Sequence, residues 1–304
     1  MQATQAVEVT QSTQAIGSGG EEQARTGPGS SPAAPAALTG RGLPPRRYAV
    51  SNQKGGQGKT TTTVGLGAEW AAAGERVRVI DCDPQLASLT YWLPPQWDDT
   101  DPSRRFDMHH VLLGEASLDD ATWPTVVPGL YVVPAYKTIT KFESERPPGA
   151  DIVLRQAIDE ATPYSVTLID CPPNLGLLTV TAITAADDII IPVLPGALDL
   201  AGVSDLNQTL RLVQRRLNPG LSVTAIALRR TFPRTGLASA IEEQLRADYP
   251  DSIHQTIRQA VRAQEAPNFH QSLRDYAPTA TVTADYCQFA TRLDDAAARK
   301  AAQQ

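Results

Sequence analysis

The chain has 304 residues, of which 41% are hydrophobic, and a formal net charge of −6. This composition can bury a full core, so the length allows one large α/β domain or two small ones. Three cysteines, far apart and without clustered histidines, support neither a disulfide framework nor a zinc site and fit a reducing cytoplasm. No apolar run approaches the ~20 residues that span a bilayer, and no signal-peptide pattern opens the chain, so we expect a soluble, cytoplasmic protein.

Residues 1–46 are rich in Ala, Gly, Ser, Pro, Gln and Thr and hold few large apolar side chains. Such a segment cannot bury enough surface to offset the entropy of ordering, so the sequence predicts a disordered tail. No helical periodicity of the kind that a helix-turn-helix needs is found there. We therefore expect a tail over 1–46 followed by one domain over 47–304.

From Tyr48 onward, short apolar segments alternate with helical patterns. The segments typical of buried strands are, in chain order, YAVSN, VRVID, LYVVPA, VTLID, DIIIPV and VTAIAL. The first helix is predicted over 61–73, because Gly74 occupies the place where a glycine commonly ends a helix. A short helix is predicted near 108–113. The alternation is typical of a doubly wound α/β fold, with a mostly parallel sheet covered by helices on both faces.

The segment KGGQGKTT at 54–61 follows the first apolar strand and precedes the first helical pattern. This is the context of a phosphate-binding loop, in which glycines let successive backbone N–H groups point at phosphates. The expected ligands are a nucleoside triphosphate, which Lys59 also contacts, and Mg²⁺, which accepts the Thr60 hydroxyl as a ligand. The residues predicted to bind the nucleotide are Lys54, Gly55, Gly56, Gln57, Gly58, Lys59, Thr60 and Thr61.

Two predicted strands end in carboxylates. VRVID at 77–81 runs into Asp83, and VTLID ends at Asp170. Open α/β sheets bind ligands at the carboxyl ends of their strands, so we expect Asp81, Asp83 and Asp170 to face the phosphates. Asp170 has the form of a Walker B aspartate, which holds a magnesium-bound water. The alternative is a buried strand that ends in a helix-capping aspartate.

The loop departs from the common GxxxxGK[ST] pattern, because Gln53 replaces the first glycine and Lys54 adds a second lysine. This loop, together with DCDPQ at 81–85 and DCPPNLG at 170–176, resembles the deviant Walker A loop ATPases of the ParA/MinD family over roughly residues 48–295. The resemblance implies an ATP hydrolase with ATP and Mg²⁺ as cofactors. It also implies that Lys54 crosses a dimer interface to the partner's ATP; a plain surface charge is the alternative.

The resemblance further implies roles for the acidic residues. Asp83 positions or polarises the attacking water, and Asp81 supports the magnesium shell, while Thr60 and Asp170 complete the metal site. Lys54, Lys59 and Asp83 are therefore the predicted catalytic residues. All of these assignments follow from matching motifs in this sequence.

Segments such as LRLVQRRLNP and RTGL look more like the DNA-segregating ParA/Soj branch than the MinD branch. The implied function is segregation of a plasmid or chromosome by an ATP-dependent homodimer that binds double-stranded DNA without sequence preference. A ParB-like centromere-binding protein is the implied partner that stimulates hydrolysis, and the implied location is the nucleoid. The alternatives are a MinD-like protein on a membrane or protein scaffold, a metal-cluster ATPase like the nitrogenase iron protein, and a carrier of other cargo.

Arginines outnumber acidic residues between positions 211 and 262, and this stretch contains no lysine. Cations on one surface suffice for binding DNA without sequence preference, and dimerisation would double such a patch. The alternative is that these arginines lie on solvated faces or in local ion pairs. The predicted DNA-binding residues are Arg229, Arg230, Arg234, Arg258 and Arg262, of which Arg234 and Arg262 match DNA-contacting positions of ParA-like relatives.

Overall fold

The computed structural model describes residues 42–84, 88–195, 199–230 and 236–303. Most of the expected tail therefore lies outside the described residues. The first strand begins at Arg46, one residue before the expected start of the domain. Within these described ranges, no helix is long and apolar enough to cross a bilayer.

One sheet of eight strands forms the centre of the domain. The strands are β1 (Arg46–Val50), β2 (Val77–Asp81), β3 (Trp123–Pro124), β4 (Leu130–Val133), β5 (Val166–Asp170), β6 (Asp188–Val193), β7 (Ser222–Arg230) and β8 (Ile253–Arg258). Their order across the sheet is β3-β4-β2-β5-β1-β6-β7-β8. Every pairing is parallel except that of β3 with β4.

The topology explains where a ligand site forms. The chain runs from β1 outward to β2 on one side, and later places β6 against the other side of β1. Helices after neighbouring strands therefore leave the sheet on opposite faces, and a crevice opens at the carboxyl end of β1. The predicted phosphate-binding loop follows β1 directly, so it lies at this switch point.

Eleven α-helices are found in the described parts of the chain. They are α1 (Lys59–Ala72), α2 (Ser88–Trp92), α3 (Met108–Leu113), α4 (Thr140–Glu145), α5 (Val153–Glu160), α6 (Leu177–Ala185), α7 (Asp199–Arg216), α8 (Gly236–Asp248), α9 (Arg262–Glu265), α10 (Leu273–Tyr276) and α11 (Thr281–Ala301). Helix α1 begins two residues earlier than predicted. Helix α3 confirms the prediction near 108–113.

Alternate residues of the central strands enter two separate core layers. In β1, Tyr48 packs in one layer with Trp70 of α1 and Phe289 of α11, whereas Ala49 packs in the other with Leu178 of α6. Side chains of a strand alternate between faces, so a strand covered on both faces is apolar at nearly every position. This is why the strands appear in the sequence as continuous apolar runs, and the predicted doubly wound fold is confirmed.

The C-terminal end of α1 has a local cause. Gly74 follows the helix with a φ of 86°, in the left-handed region that glycine adopts at little cost, as the sequence predicts.

In the middle of α1, Gly65 faces the ring of Tyr286 in α11, where an added Cβ would lie 2.7 Å from a ring carbon. A side chain at position 65 would therefore separate the two helices. Cys82 and Cys171, which directly follow the strand-end aspartates, are buried in the core.

Candidate nucleotide-binding and hydrolysis site

The loop between β1 and α1 has the curvature that its glycines predict. Gly56 and Gly58 have φ values of 75° and 87°, which lie in the left-handed region. Lys59 begins α1 and is only 7% exposed, and its Nζ lies 3.5 Å from the carbonyl oxygen of Lys54, to which it donates. Burial lowers the pKa of Lys59, although nearby carboxylates, first Asp170, oppose that shift. The ammonium group of Lys59 thus lies inside the loop and bonds the residue at its start.

Two amide side chains attach the loop to the end of β6. The Nδ2 of Asn52 donates to the carbonyl oxygen of Pro192 at 2.8 Å. The Oε1 of Gln57 accepts a hydrogen bond from the backbone N–H of Leu194 at 2.6 Å. Gln57 is buried, and its side chain braces the loop from behind. Any contribution of this predicted nucleotide-binding residue to the ligand therefore comes from its backbone.

Thr60 and Asp170 meet at the first turn of α1. The hydroxyl of Thr60 donates to Oδ2 of Asp170 at 2.6 Å, and Thr63 lies 3.4 Å from the other carboxylate oxygen. Burial, followed by the charge of nearby Asp81, raises the pKa of Asp170 to about 8. The hydrogen bond from Thr60 and the charge of Lys59 oppose this shift. The alternative interpretation as a helix-capping aspartate is not needed, because Asp170 bonds side chains of α1.

Asp81 is completely buried behind this pair. Its Oδ1 accepts the backbone N–H of Asp83 at 2.9 Å, and its Oδ2 accepts the N–H and hydroxyl of Thr90 at 3.0 and 2.7 Å. Burial raises the pKa of Asp81 to about 6, and these hydrogen bonds oppose that shift. Both oxygens are engaged, so Asp81 here holds the Asp83 loop and α2 in place. Asp83 itself reaches the cavity wall.

A cavity of about 420 Å³ opens above the loop. It brings together most of the predicted nucleotide-binding residues, Asp83, and several residues that no motif indicated. Its walls are Gly55, Gly56, Gly58, Lys59, Thr60, Thr61, Asp83, Ser88, Tyr91, Trp92, Pro173, Arg229, Ala263 and Pro267. Of the wall residues that were not predicted, Pro173 had a signal, because it lies in the DCPPNLG segment at 170–176 that resembles the family. Tyr91 and Trp92 belong to no recognisable motif.

The oxygen donors at this site fit Mg²⁺. A hydroxyl and a carboxylate, from Thr60 and Asp170, lie next to the glycine-rich loop, and Mg²⁺ binds such hard oxygens together with waters and phosphate oxygens. The raised pKa of Asp170 has burial near another carboxylate as its cause, which a divalent cation would relieve. The residues present therefore suit a magnesium-bound nucleotide.

The predicted DNA-binding arginines of β7 are engaged within the protein. Nη1 of Arg229 donates to the carbonyl oxygen of Gly56 at 2.9 Å, which places this arginine at the nucleotide cavity. The Nη2 of Arg230 donates to both carboxylate oxygens of Glu242 in α8, at 3.0 and 2.9 Å. Arg234 lies outside the described residues.

The other two predicted DNA-binding arginines are more exposed, but each has an acidic neighbour. Arg258 pairs with Asp285 of α11 at 2.6 Å, and its side chain is 41% exposed. Arg262 pairs with Glu265 at 3.0 Å, lies over the ring of Tyr276 and is 61% exposed. These two guanidinium groups can therefore meet a ligand from solvent.

Comparisons with known proteins agree with this geometry. A family profile described as "AAA domain" matches residues 46–223. The chromosome partitioning protein ParA of Caulobacter vibrioides is 38% identical over 232 residues, which cover 74% of this chain and 85% of that protein. The sporulation initiation inhibitor protein Soj of Bacillus subtilis is 36% identical over 234 residues, covering 76% of this chain and 90% of that protein.

Among solved structures, cobyrinic acid a,c-diamide synthase from Mycobacterium smegmatis, with an ATP analogue and magnesium bound, has a TM-score of 0.68 to this chain. It is 29% identical, and the match covers 82% of this chain and 94% of the other. A glycine-rich loop at the switch point of a parallel sheet, with a threonine and an aspartate beside it, defines a P-loop ATPase that uses ATP and Mg²⁺. Within that class, the chain belongs to the ParA/Soj family of partition ATPases.

Proposed function

We propose that this ATPase segregates DNA, of a plasmid or a chromosome, by cycling between a nucleotide-controlled dimer on DNA and a released form. In the proposal, ATP brings two copies together, the dimer binds double-stranded DNA without sequence preference, and a ParB-like centromere-binding protein stimulates hydrolysis and release. The proposed location is the nucleoid. Support comes from relatives at 37–38% identity that are named as chromosome-partitioning proteins.

The contrast between the two lysines of one loop carries the proposal. Lys59 is buried and directed into the loop, whereas Lys54 is exposed at the start of the same loop. The loop therefore already has its own internal cation for the phosphates, and the second lysine is on the outer surface. A lysine in that position suits the nucleotide of a second copy packed against this face, as the family resemblance implies.

The chemistry is phosphoryl transfer to water, which depends on positioning and on stabilisation of negative charge. The backbone N–H groups of 55–60 and the Nζ of Lys59 stabilise charge on the phosphate oxygens. Mg²⁺ supplies further charge neutralisation when bound, held by Thr60 and Asp170. Asp83 lies at the cavity wall, where its carboxylate orients the attacking water, and Asp81 positions Asp83 through its N–H. Lys54 completes the site across the dimer.

The proposed DNA surface consists of Arg258 and Arg262 together with Arg234. Support comes from the exposure of Arg258 and Arg262, at 41% and 61% of their side chains. Each contact to a phosphate is weak and screened by salt, but a dimer presents two copies of the surface and so multiplies the attraction. Arg229 and Arg230 contribute less in this proposal, because their guanidinium groups are already bonded within the protein.

The experiment compares the wild type with Lys54→Ala and with Lys137→Ala, an exposed lysine outside the cavity. Molar mass by light scattering and affinity for random-sequence duplex DNA are measured with no nucleotide, with ADP and with ATP. We expect ATP to dimerise the wild type and Lys137→Ala and to raise their DNA affinity at least tenfold, and Lys54→Ala to lose both effects. Nucleotide-independent DNA affinity in the wild type, or an unaffected Lys54→Ala, would contradict the proposal.

A further inference from the structure

Arg229 reaches the phosphate-binding loop from a distant part of the chain. It lies near the end of β7, which is separated from β1 by β6 in the sheet. Its Nη1 nevertheless donates to the carbonyl oxygen of Gly56 at 2.9 Å. The residue is partly exposed and forms part of the cavity wall, together with Lys59 and Thr60. A strong cation from β7 is thus added to the nucleotide site.

The side chain of Arg229 is packed against the loop along its length. A Cβ added at Gly58 would lie 2.6 Å from Cδ, 2.8 Å from Nη1 and 2.9 Å from Nε of Arg229. A Cβ atom essentially never lies this close to another heavy atom, so the arginine in this position occupies the space that a side chain at position 58 would need. Glycine at position 58 therefore allows both the left-handed backbone of the loop and the close packing of Arg229 against it.

The guanidinium group of Arg229 differs from those of nearby arginines in its bonding partner. Among the described residues, Arg230, Arg258 and Arg262 each pair with an acidic side chain. No described acidic residue forms an ion pair with Arg229. Within the same described ranges its guanidinium donates to a carbonyl oxygen, and a guanidinium group carries several further N–H donors in a planar fork. That fork matches the geometry of phosphate oxygens better than a lysine does.

From these observations we infer that Arg229 is a nucleotide-binding residue, which contacts the phosphate chain of the bound nucleotide from the β7 side of the loop. It complements Lys59, which acts from inside the loop. The bond to the carbonyl of Gly56 holds the guanidinium in place before the ligand arrives, so little side-chain entropy remains to be lost on binding. Arg229 then belongs to the nucleotide site and not to the DNA surface.

The test measures dissociation constants by displacement of a fluorescent ADP analogue, in the presence of Mg²⁺, for wild type, Arg229→Gln and Arg229→Lys. The competing ligands are adenosine, pyrophosphate, ADP and ATP, so that the two halves of the nucleotide are examined separately. Arg216→Gln is the matched control, because Arg216 is exposed at the end of α7 and is not part of the cavity wall. Thermal unfolding of each variant shows whether the fold is retained.

We expect Arg229→Gln to weaken pyrophosphate, ADP and ATP by roughly tenfold, the usual effect of losing a hydrogen bond to a charged group. Adenosine affinity is expected to stay within about twofold, and Arg229→Lys to recover part of the loss. Equal weakening of adenosine and ATP would overturn the inference in favour of a purely structural role in the loop. Unchanged nucleotide affinities would overturn it too, and an accompanying loss of DNA affinity would return Arg229 to the DNA surface. If Arg229→Gln does not fold, Arg229→Lys is judged by the same comparison.

Discussion

The nucleotide site differs from the arginine-rich edge of the sheet, which consists of Arg258 and Arg262, in how its charged side chains are held. At the nucleotide site, Lys59 and Asp170 are buried and positioned by hydrogen bonds inside the protein. At the edge, beside β8, Arg258 and Arg262 are exposed and held by ion pairs that solvent can reach. The first region is prepared for one ligand in one geometry. The second is the surface at which we propose that DNA phosphates bind.

The difference in burial predicts how mutations in the two regions will behave. Buried charges in a low-dielectric site interact strongly, so each residue of the nucleotide site is expected to have a large individual effect. Exposed ion pairs contribute little each and are screened by salt, so the surface is expected to act only as a sum over many residues. Mutations in the two regions should therefore differ in size and in salt dependence.

The largest expected effect is that of Lys59→Ala. Removal of the buried cation should lower the rate of ATP hydrolysis by about 10²–10³-fold, because this lysine stabilises the charge that develops on the transferred phosphoryl group. The rate is measured by phosphate release at saturating ATP, in the presence of DNA. Lys137→Ala is the matched control and should hydrolyse ATP like the wild type. A loss of less than about tenfold in Lys59→Ala would remove the distinction between the two regions.

A smaller effect is expected from Asp170→Asn, on stability and its pH dependence. Burial raises the pKa of Asp170 from the ordinary value of 3.8 to about 8 in the folded protein. The folded chain therefore keeps this proton to a higher pH than the unfolded chain does. The contribution of Asp170 to the free energy of unfolding is then fully favourable below pH 3.8 and is lost as the pH rises towards about 8.

Asparagine resembles the protonated carboxyl and does not titrate. We expect Asp170→Asn, without nucleotide and with EDTA, to exceed the wild type by about 1–3 kcal/mol in the free energy of unfolding at pH 8, and by little at pH 4. Urea unfolding at several pH values measures the difference, with Asp251→Asn on the surface as the control. With Mg²⁺ and ATP present, the order should reverse, since only the carboxylate binds the metal well. A variant less stable than wild type at pH 8 without ligand would contradict the expectation.

The smallest single effects are expected at the arginine-rich edge. Arg258→Gln and Arg262→Gln should each weaken ATP-dependent DNA binding by about three- to tenfold. The dependence of log affinity on log salt should become shallower by about one unit for each phosphate that is no longer neutralised. Arg104→Gln, an exposed arginine outside the arginine-rich segment, is the control. DNA affinity and its salt dependence are measured by fluorescence anisotropy.

The two edge variants should also differ from each other. Arg258 bonds Asp285, which is buried in α11, so Arg258→Gln should lower the free energy of unfolding by removing a partner of that buried carboxylate. Arg262 pairs with Glu265, whose side chain is 38% exposed, so Arg262→Gln should leave the stability close to that of the wild type. If the two variants lose DNA affinity equally but keep the salt dependence of the wild type, neither arginine contacts a phosphate.

Local patterns were sufficient to predict the fold and the position of the site. The apolar run VRVID predicted β2 with its observed bounds, since a strand covered on both faces has little room for polar residues. The glycines of 54–61 predicted a loop whose backbone curves around phosphates, and Gly56 and Gly58 have the left-handed φ values that such a curve can use. Asp83 and Asp170 were predicted at strand ends, and parallel strands bring those ends to one edge. Each prediction rests on residues close together in the chain.

Contacts between residues distant in the chain had no such local pattern and required the folded structure. The family resemblance implies that Asp81 supports the magnesium shell, and the fold adds that its oxygens accept hydrogen bonds from Asp83 and from Thr90 of α2. Arg229 was predicted to bind DNA because of its charge. In the structure its side chain contacts the phosphate-binding loop, because the fold places β7 two strands from β1. Residue type and spacing determine what a side chain can do. The packing of distant elements decides which partner it meets, because side-chain burial and hydrogen bonding depend on neighbours that the fold alone supplies.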